Sequence, residues 1–384
     1  MKALFAHDHP FHVDGESVTS TVGFGYDLWR RYLRHAPSLE VLGRSSGSAS
    51  GSILSSGPDV CFTTVPPPLS PRHVSEWPRT IRTVDQCVQR NDLVVARLPS
   101  VLGGLAAEKA LRRNTLLIVE MVGDPAVSLR EHGHWLGPTL GLAISAWTRS
   151  LVRRAPHVIY VTERALQREY PTQGKSTHAS NVEGICLDTE VLRQRLASLP
   201  LDPERLVLGS IGSLNVQYKA YDVAMASVAR LRAEGLNVTY RILGGGDQDP
   251  WRARAAALGV AESVEFTGVL PGGEAVYRWL DDIDAYVQPS RTEGLPRAVI
   301  EAMSRACPVF GSDAGGIPEL VPAEAVHAAG DHEQLAEHLR AFVFAPDMQR
   351  QRALASFERA HDYRSEVLDR RRAQFFADAI ASAA

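Results

Sequence analysis

Residues 286–305 read YVQPSRTEGLPRAVIEAMSR and contain the clearest structural pattern in the chain. The β-branched and aromatic start predicts a strand, and a loop follows that ends at Gly294 and Pro296. Proline suits the first position of a helix, because its missing N–H is not needed there, and the helical pattern runs to about Ala306 before Pro308. This stretch therefore predicts a strand, a tight loop and a helix in succession.

Similar strand and helix patterns alternate through the rest of the second half. In the helical stretch 220–234, for example, Ala224, Val228 and Leu231 fall on one face. Such alternation predicts βαβ units and a parallel sheet, which binds ligands beyond the carboxyl ends of its strands. The predicted strands are Leu206–Ile211, Thr239–Leu243, Val264–Thr267, Ala285–Val287 and Pro308–Gly311.

The first half repeats this pattern less regularly, and its Ser/Gly-rich stretch 44–58 predicts a surface loop. Proline and charge near 196–205 mark a boundary, so we predict domains over 1–200 and 201–361, with a final helix in 362–384 as a candidate to pack on the first. The expected architecture is α/β, with two domains of similar size facing across a cleft. The predicted strands are Ala3–Ala6, Leu39–Leu42, Val60–Thr63, Leu93–Ala96, Leu116–Glu120 and Val158–Val161.

Composition narrows the class of protein. The 384 residues suffice for two cores, and a net charge of −3 argues against a nucleic-acid partner. Four cysteines without C-x-x-C spacing argue against a zinc site and a disulfide framework. The N-terminus lacks the pattern of a signal peptide and no apolar run reaches about 18 residues, so we expect a cytoplasmic protein.

Residues 135–154, WLGPTLGLAISAWTRSLVRR, run from apolar to basic. One interpretation is a buried helix with a solvated basic end. The other is a surface that contacts anionic lipid at the inner face of a membrane, with Trp147, Arg149, Arg153 and Arg154 at the headgroups. The sequence leaves both open.

The loop before the predicted helix suits a phosphate. Gly294 allows close approach, and free N–H groups at the positive helix end attract an anion. Glu293 lies in the loop and Glu301 on the second turn of the helix, whose side chains tilt back toward its start. A carboxylate can accept two hydrogen bonds from the diol of a ribose. Either glutamate alone could instead be a solvated or helix-stabilising residue.

The motif E-G-L-P-x-x-x-x-E-A-M, Glu293 through Met303, resembles the signature of the retaining GT-B glycosyltransferases of family 4. The resemblance implies two Rossmann-like domains, with a nucleotide-sugar of the UDP or GDP type bound mainly to the second. It implies that Glu301 holds the ribose and that Glu293 lies by the donor sugar. The amides of Gly294 and Leu295 would lie near the sugar and diphosphate.

The same resemblance extends to the loop after Leu206–Ile211. Lys219 matches the phosphate-binding lysine of the family, although an ordinary surface lysine is the alternative. Ser213 occupies the position where the family usually has an arginine, and Arg291 is a candidate to supply the missing charge. Further loops resemble the glycine-rich lining of the donor cleft, the base-binding strand end and a packing turn; they contain Gly244 and Gly245, Phe266, and Gly315–Glu319 respectively.

The first domain is expected to bind the acceptor. Asp124 is the candidate for the group that faces the anomeric carbon, with Glu120, His132 and His134 behind it, but it could simply start a turn before Pro125. The loop with Gly23, Gly25 and Tyr26 resembles one that borders the acceptor, and Arg97 follows a strand at the same edge. Local sequences such as ARLPS (96–100) resemble the bacterial enzymes that build capsular or exopolysaccharides.

The implied reaction transfers a glycosyl group from a nucleoside-diphosphate sugar to a hydroxyl of a glycan or small molecule, with retention. A lipid-linked acceptor stays open. His7-Asp8-His9 cannot all point into one site from a strand, and the resemblance implies a catalytic lysine and helix N-terminus rather than a metal or cofactor. Three alternatives remain: a nucleotide-sugar epimerase or hydrolase of this fold, a noncatalytic binding protein, and a dehydrogenase whose glycine fingerprint is incomplete.

Overall fold

The computed structural model describes residues 1–21, 23–46, 53–68, 71–124 and 137–383. These residues divide into two compact α/β units. The first contains the described residues among 1–129, 138–179 and 369–384, and the second those among 130–137 and 180–368.

The first unit is built on a parallel sheet in the order β5-β3-β1-β6-β7-β8-β9, and an antiparallel extension, β2 and β4, continues from the end of β1. The strands are β1 Lys2–Asp14, β2 Ser17–Ser20, β3 Ser38–Ser45, β4 Ile53–Leu54, β5 Val60–Val65, β6 Leu93–Leu98, β7 Leu116–Met121, β8 His157–Tyr160 and β9 Lys175–His178. The helices that accompany them are α1 Tyr26–Leu33, α2 Trp77–Gln89, α3 Val101–Arg113, α4 Gly137–Arg154 and α5 Ala165–Glu169.

The second unit has a sheet of six parallel strands in the order β12-β11-β10-β13-β14-β15. Its strands are β10 Leu206–Ile211, β11 Val238–Leu243, β12 Val264–Gly268, β13 Ala285–Gln288, β14 Val309–Ser312 and β15 Val326–His327. Its helices are α6 Thr189–Ala197, α7 Tyr221–Ala233, α8 Asp249–Ala257, α9 Glu274–Asp281, α10 Arg297–Ser304, α11 His332–Val343 and α12 Pro346–Ala360; α13 Ser365–Ala381 begins here.

Both sheets are covered on two faces, which explains their sequences. The central strands β10, β13 and β14 are buried along almost their whole length and consist mainly of apolar residues, as parallel strands between helix layers require. In each unit the strand order reverses beside the first strand, between β1 and β6 and between β10 and β13. Ligands of such sheets bind at this reversal, beyond the carboxyl ends of the strands.

The predicted strands are confirmed, with two corrections in the first unit. The strand predicted over Ala3–Ala6 continues to Asp14. Its register with β3 shifts between Ala6 and Pro10, and pairing with β3 then resumes at Pro10. The predicted loop 44–58 is partly strand: β3 ends at Ser45 and Ile53–Leu54 pairs with β2. Residues 47–52 lie outside the described residues.

The helix after β13 is also displaced from its prediction. Pro296 has ψ of 113° and precedes α10 rather than forming its first residue, so the helix begins at Arg297. It ends at Ser304, two residues early, because Ala306 adopts φ of +50° and the amide of Cys307 turns back to the Ala302 carbonyl. Helix α7, Tyr221–Ala233, confirms the stretch predicted over 220–234.

From Asp369 onward, helix α13 belongs to the first unit. Asp369 pairs with Arg34 at 2.8 Å, and Arg371 donates to the His178 carbonyl at 3.2 Å. The ring of Phe376 is buried and stacks on His35 with centroids 4.8 Å apart. Among the described helices of both units, none has the length and apolar character needed to cross a bilayer.

Candidate active site

The reversal of strand order in the second unit brings two loops together. One follows β10 and contains Lys219; the other follows β13 and contains Glu293. Lys219 ends a short 3₁₀ turn, and the next residue, Ala220, has φ of +55° and leads into α7. The sequence thus places a cation and a carboxylate at the sheet edge where ligands bind.

Lys219 and Glu293 form an ion pair, with Nζ 2.7 Å from Oε1 and only 16% and 10% of the side chains exposed. The same carboxylate oxygen accepts from Gln288 Nε2 at 2.9 Å and Ser290 Oγ at 3.0 Å. Gln288 is itself oriented by the hydroxyl of Tyr286. The surface-lysine alternative is therefore wrong, and Lys219 is fixed in a polar network.

The Glu293 loop is supported from behind by the turn at Gly315-Gly316. The amide of Gly316 donates to the Gly294 carbonyl at 2.8 Å. Gly315 has φ of +53°, and a Cβ there would lie 1.9 Å from the Glu293 carbonyl oxygen, so only glycine fits. In front, the amides of Gly294 and Leu295 form no hydrogen bond with any described residue and precede the N-terminus of α10. This end of the loop can bind an anion.

Glu301 lies on the second turn of α10 and is largely buried. Burial raises the pKa of its carboxyl, an effect that the charge of Arg297 opposes. Its carboxylate forms no hydrogen bond or ion pair within the described part of the chain. This partly exposed carboxylate is therefore an acceptor that a ligand can use.

The glycine loop after β11 packs closely on the loop after β10. A Cβ at Gly244 would lie 1.9 Å from the Gly212 carbonyl oxygen. Asn215, which is not among the predicted site residues, accepts from the amide of Asp247 at 2.9 Å, while Ser213 Oγ accepts from the amide of Asn215 at 3.2 Å. Close backbone packing therefore requires Gly244, and Ser213 serves here as a turn-forming hydroxyl.

Two other predicted donor residues contact neighbours in the second unit. The guanidinium of Arg291 binds Asp222 in a bidentate pair at 2.6 and 3.1 Å and reaches the Gln217 carbonyl at 3.3 Å. The ring of Phe266 is half-buried and lies 4.8 Å from the Arg252 guanidinium. The charge of Arg291 is thus already paired with a carboxylate.

In the first unit, Asp124 accepts from the Tyr170 hydroxyl at 2.6 Å, and that hydroxyl lies 2.7 Å from Ser145 Oγ. Burial, and then the hydrogen bond to Asp124, raises the pKa of Tyr170. Asp124 therefore has a defined polar partner, whereas Glu120 is buried and accepts from Tyr32 at 2.9 Å. His132 and His134 lie outside the described residues.

The predicted acceptor loop lies at the start of α1. Gly23 has φ of +58°, and Gly25 is the residue that precedes the helix. Tyr26 donates its hydroxyl to the Pro58 carbonyl at 3.2 Å. Phe24, between the two glycines, was not predicted as a site residue. Its ring centroid lies 5.2 Å from the Arg97 guanidinium.

The basic stretch on α4 lines a groove of about 560 Å³ with the segment 171–173. Arg149 and Arg153 lie in this lining and are exposed, and Leu142 is 66% exposed. Trp147 is half-buried: a Cβ at Gly104 would lie 2.4 Å from its ring, so the indole packs against α3. The helix has a buried face and an exposed basic end.

Residues 205–343, which lie within the second unit, match the family described as glycosyl transferases group 1. The chain is 29% identical to protein CapJ of Staphylococcus aureus over 370 residues, 95% of this chain and 92% of CapJ. It is also 34% identical over 208 residues to the putative colanic acid biosynthesis glycosyltransferase WcaL of Escherichia coli K12, about half of each chain (49% and 48%).

Solved structures show the same fold. Sucrose-phosphate synthase from Thermosynechococcus elongatus matches with a TM-score of 0.71 and 15% identity over 99% of each chain. HepE of Anabaena, solved in complex with UDP, matches with a TM-score of 0.66 and 18% identity over 100% of each chain. The predicted α/β fold of the GT-B class is confirmed.

We expect Gly315→Ala to lower the melting temperature of the protein by several degrees, because its methyl group would collide with the Glu293 carbonyl oxygen. Gly330→Ala is the matched control. Gly330 has φ of +91°, but no atom lies within 4 Å of the position that its methyl group would take, so this variant suffers only the backbone strain. Differential scanning calorimetry compares the two. Equal losses would show that the clash at Gly315 is relieved without cost.

Proposed function

We propose that the protein transfers a glycosyl group from a nucleoside-diphosphate sugar to a hydroxyl, with retention, as a family 4 type of enzyme in polysaccharide assembly. The observation that carries this proposal is the largely covered Lys219–Glu293 pair beside the free amides of Gly294 and Leu295. The group 1 domain and the likeness to CapJ and WcaL support it.

In this proposal the donor binds along the carboxyl edge of the second sheet. The diphosphate faces the amides at the start of α10 and the ammonium group of Lys219. Glu301 accepts hydrogen bonds from the ribose hydroxyls, a role that its free carboxylate suits. Phe266 and the loop with Gly244 and Gly245 line the base and phosphates, with Ser213 as a neutral donor to phosphate. Arg291 is proposed to hold the loop after β10 in place, through its ion pair with Asp222 and its hydrogen bond to the Gln217 carbonyl.

The chemistry needs stabilisation of the leaving diphosphate. Negative charge grows on its oxygen as the glycosidic bond breaks, and fixed donors that face this oxygen lower the barrier. Lys219 and the α10 N-terminus supply that charge, so we propose that neither a metal nor a cofactor takes part. Glu293 holds Lys219 in position and presents its second oxygen toward the sugar.

The first unit receives the acceptor. Asp124, fixed by Tyr170, is proposed to face the anomeric carbon, while Gly23, Gly25, Tyr26 and Arg97 border the acceptor. A lipid-linked acceptor and contact with the inner face of the membrane form part of the proposal, and the exposed Leu142, Arg149 and Arg153 of 135–154 support it.

The first test is a transfer assay with UDP-, GDP- and ADP-sugars and a mixture of hydroxyl acceptors. We expect one nucleotide class to be consumed only when an acceptor is present, with product of unchanged anomeric configuration by NMR and with equal rates in excess chelator. Epimerised sugar, or consumption without acceptor, would favour the other reactions. An inverted product would refute retention, and a rate lost to the chelator would refute the metal-free mechanism.

Glu301→Ala should weaken UDP or GDP binding about tenfold to a hundredfold, because the ribose loses a charged acceptor. Isothermal calorimetry measures the affinity. Glu274→Ala, a change at an exposed glutamate of the same unit, is the control and should leave it unchanged. Equal affinities in all three proteins would contradict the ribose assignment.

Lys219→Met should lower transfer by about a hundredfold or more and should also cost about 1–3 kcal/mol of stability, since Glu293 would be buried without its cation. Adding Glu293→Gln removes that unpaired charge. We therefore expect the double variant to recover most of the stability, by chemical denaturation, but none of the activity. Activity that returned together with stability would indicate a purely structural lysine.

A further inference from the structure

A second charged cluster lies at the strand reversal of the first unit. It is formed by His7, Asp8 and His9 within β1, by Arg44 near the end of β3, and by Arg97 in β6. These are three adjacent strands of the parallel sheet, in the order β3-β1-β6, and their carboxyl ends share one edge. The position corresponds to the ligand-binding edge of a doubly wound sheet.

The carboxylate of this cluster, Asp8, is already hydrogen-bonded within the protein. Asp8 accepts from the amides of Val101 at 2.6 Å and Leu102 at 2.9 Å, so its carboxylate caps the N-terminus of α3. Ser100 caps the amide of Gly103 in the same turn. Both oxygens of the Asp8 carboxylate are thus bonded to backbone amides, and its charge acts on Arg44 from a distance, without a direct ion pair.

Arg44 and Arg97 have no carboxylate within 4 Å among the described residues. The Nε of Arg44 is buried and lacks a hydrogen-bond partner within that part of the chain. Arg97 faces the ring of Phe24 at 5.2 Å. A buried guanidinium nitrogen without an acceptor is costly, and an oxyanion would satisfy it.

The two histidines add polar groups but little charge. Phe24 stacks on both rings, with centroids 5.5 Å from His7 and 4.1 Å from His9. Burial first, together with the charges of Arg97 and Arg44, lowers the pKa of His7 to about 3 and that of His9 to about 4. Both imidazoles are therefore neutral at neutral pH and can donate or accept a hydrogen bond. Phe24 contacts both rings and Arg97, and Arg44 is paired in register with Pro10, next to His9, so the four side chains lie at one place on the sheet edge.

We propose that this site holds an oxyanion, a carboxylate or phosphate group of the acceptor, through Arg44 and Arg97. A guanidinium matches two oxygens of either group, whereas a neutral sugar offers neither arginine a charged partner in direct contact. The acceptor would thus be an acidic sugar or a sugar phosphate rather than a neutral one. That the anion belongs to the acceptor rests on the proposed function, whereas the anion site itself is inferred from the geometry of the first unit.

The test is calorimetric titration of the full chain with glucuronate, inorganic phosphate and glucose at equal ionic strength. We expect at least one of the two anions to bind about tenfold or more tightly than glucose, and the stronger of them identifies the group. Arg44→Gln and Arg97→Gln should each weaken that binding about tenfold. Arg82→Gln removes an equal charge from an exposed site on α2 and should leave it unchanged.

Anion binding that survives the double substitution, or glucose binding as tight as that of both anions, would overturn the proposal. Because the glutamine variants could fold poorly, the unaltered chain supplies a second measurement. Adding the anion should shift the ring NMR resonances of His7 and His9 but not those of the exposed His332. Unshifted rings would also overturn the proposal. Both experiments omit nucleotide, so they can succeed even where nucleotide-sugar transfer fails.

Discussion

A carboxylate that leaves water must have partners, and in the second unit Glu293 finds three of them on a single oxygen. Lys219 comes from the loop after β10, whereas Gln288 and Ser290 come from the end of β13. The ion pair therefore joins the two loops that flank the strand reversal. The shape of the turn before α10 depends on that junction, as does the need for Gly315 behind it.

Much of this unit follows from its sequence, because parallel strands between helix layers must be apolar throughout and glycine must occupy close approaches. The strands and the loop with Glu293 and Gly294 were predictable for that reason. The partners of Glu293 were not: Gln288 and Ser290 look like ordinary polar residues until the turn brings them within 3.0 Å. Likewise, Arg291 has the right charge for a phosphate, but Asp222, distant in sequence, pairs with it.

The first unit was harder to predict, since the positions of His7 to His9 depend on the register between β1 and β3. The pattern alone ended β1 at Ala6, and the shift before Pro10 that carries His7 to His9 along the sheet edge leaves no local signal. Arg44 could have been found by the carboxyl-end rule that singled out Arg97. The two units share the strand order around their first strands but differ in how charge is paired there. In the second unit, Lys219 forms an ion pair with Glu293. In the first, neither Arg44 nor Arg97 has a carboxylate within 4 Å among the described residues.

Helix α13 has a consequence for the order in which the chain folds during synthesis. The strands of the first unit leave the ribosome early, but Phe376 and Asp369, which pack on α1 and its following turn, are made only after the whole second unit. All residues of the second unit are therefore synthesised before the part of α13 that begins at Asp369. Until then, the apolar surface of the first unit that α13 covers stays exposed. A nascent chain stalled before Asp369 would thus present that surface to chaperones.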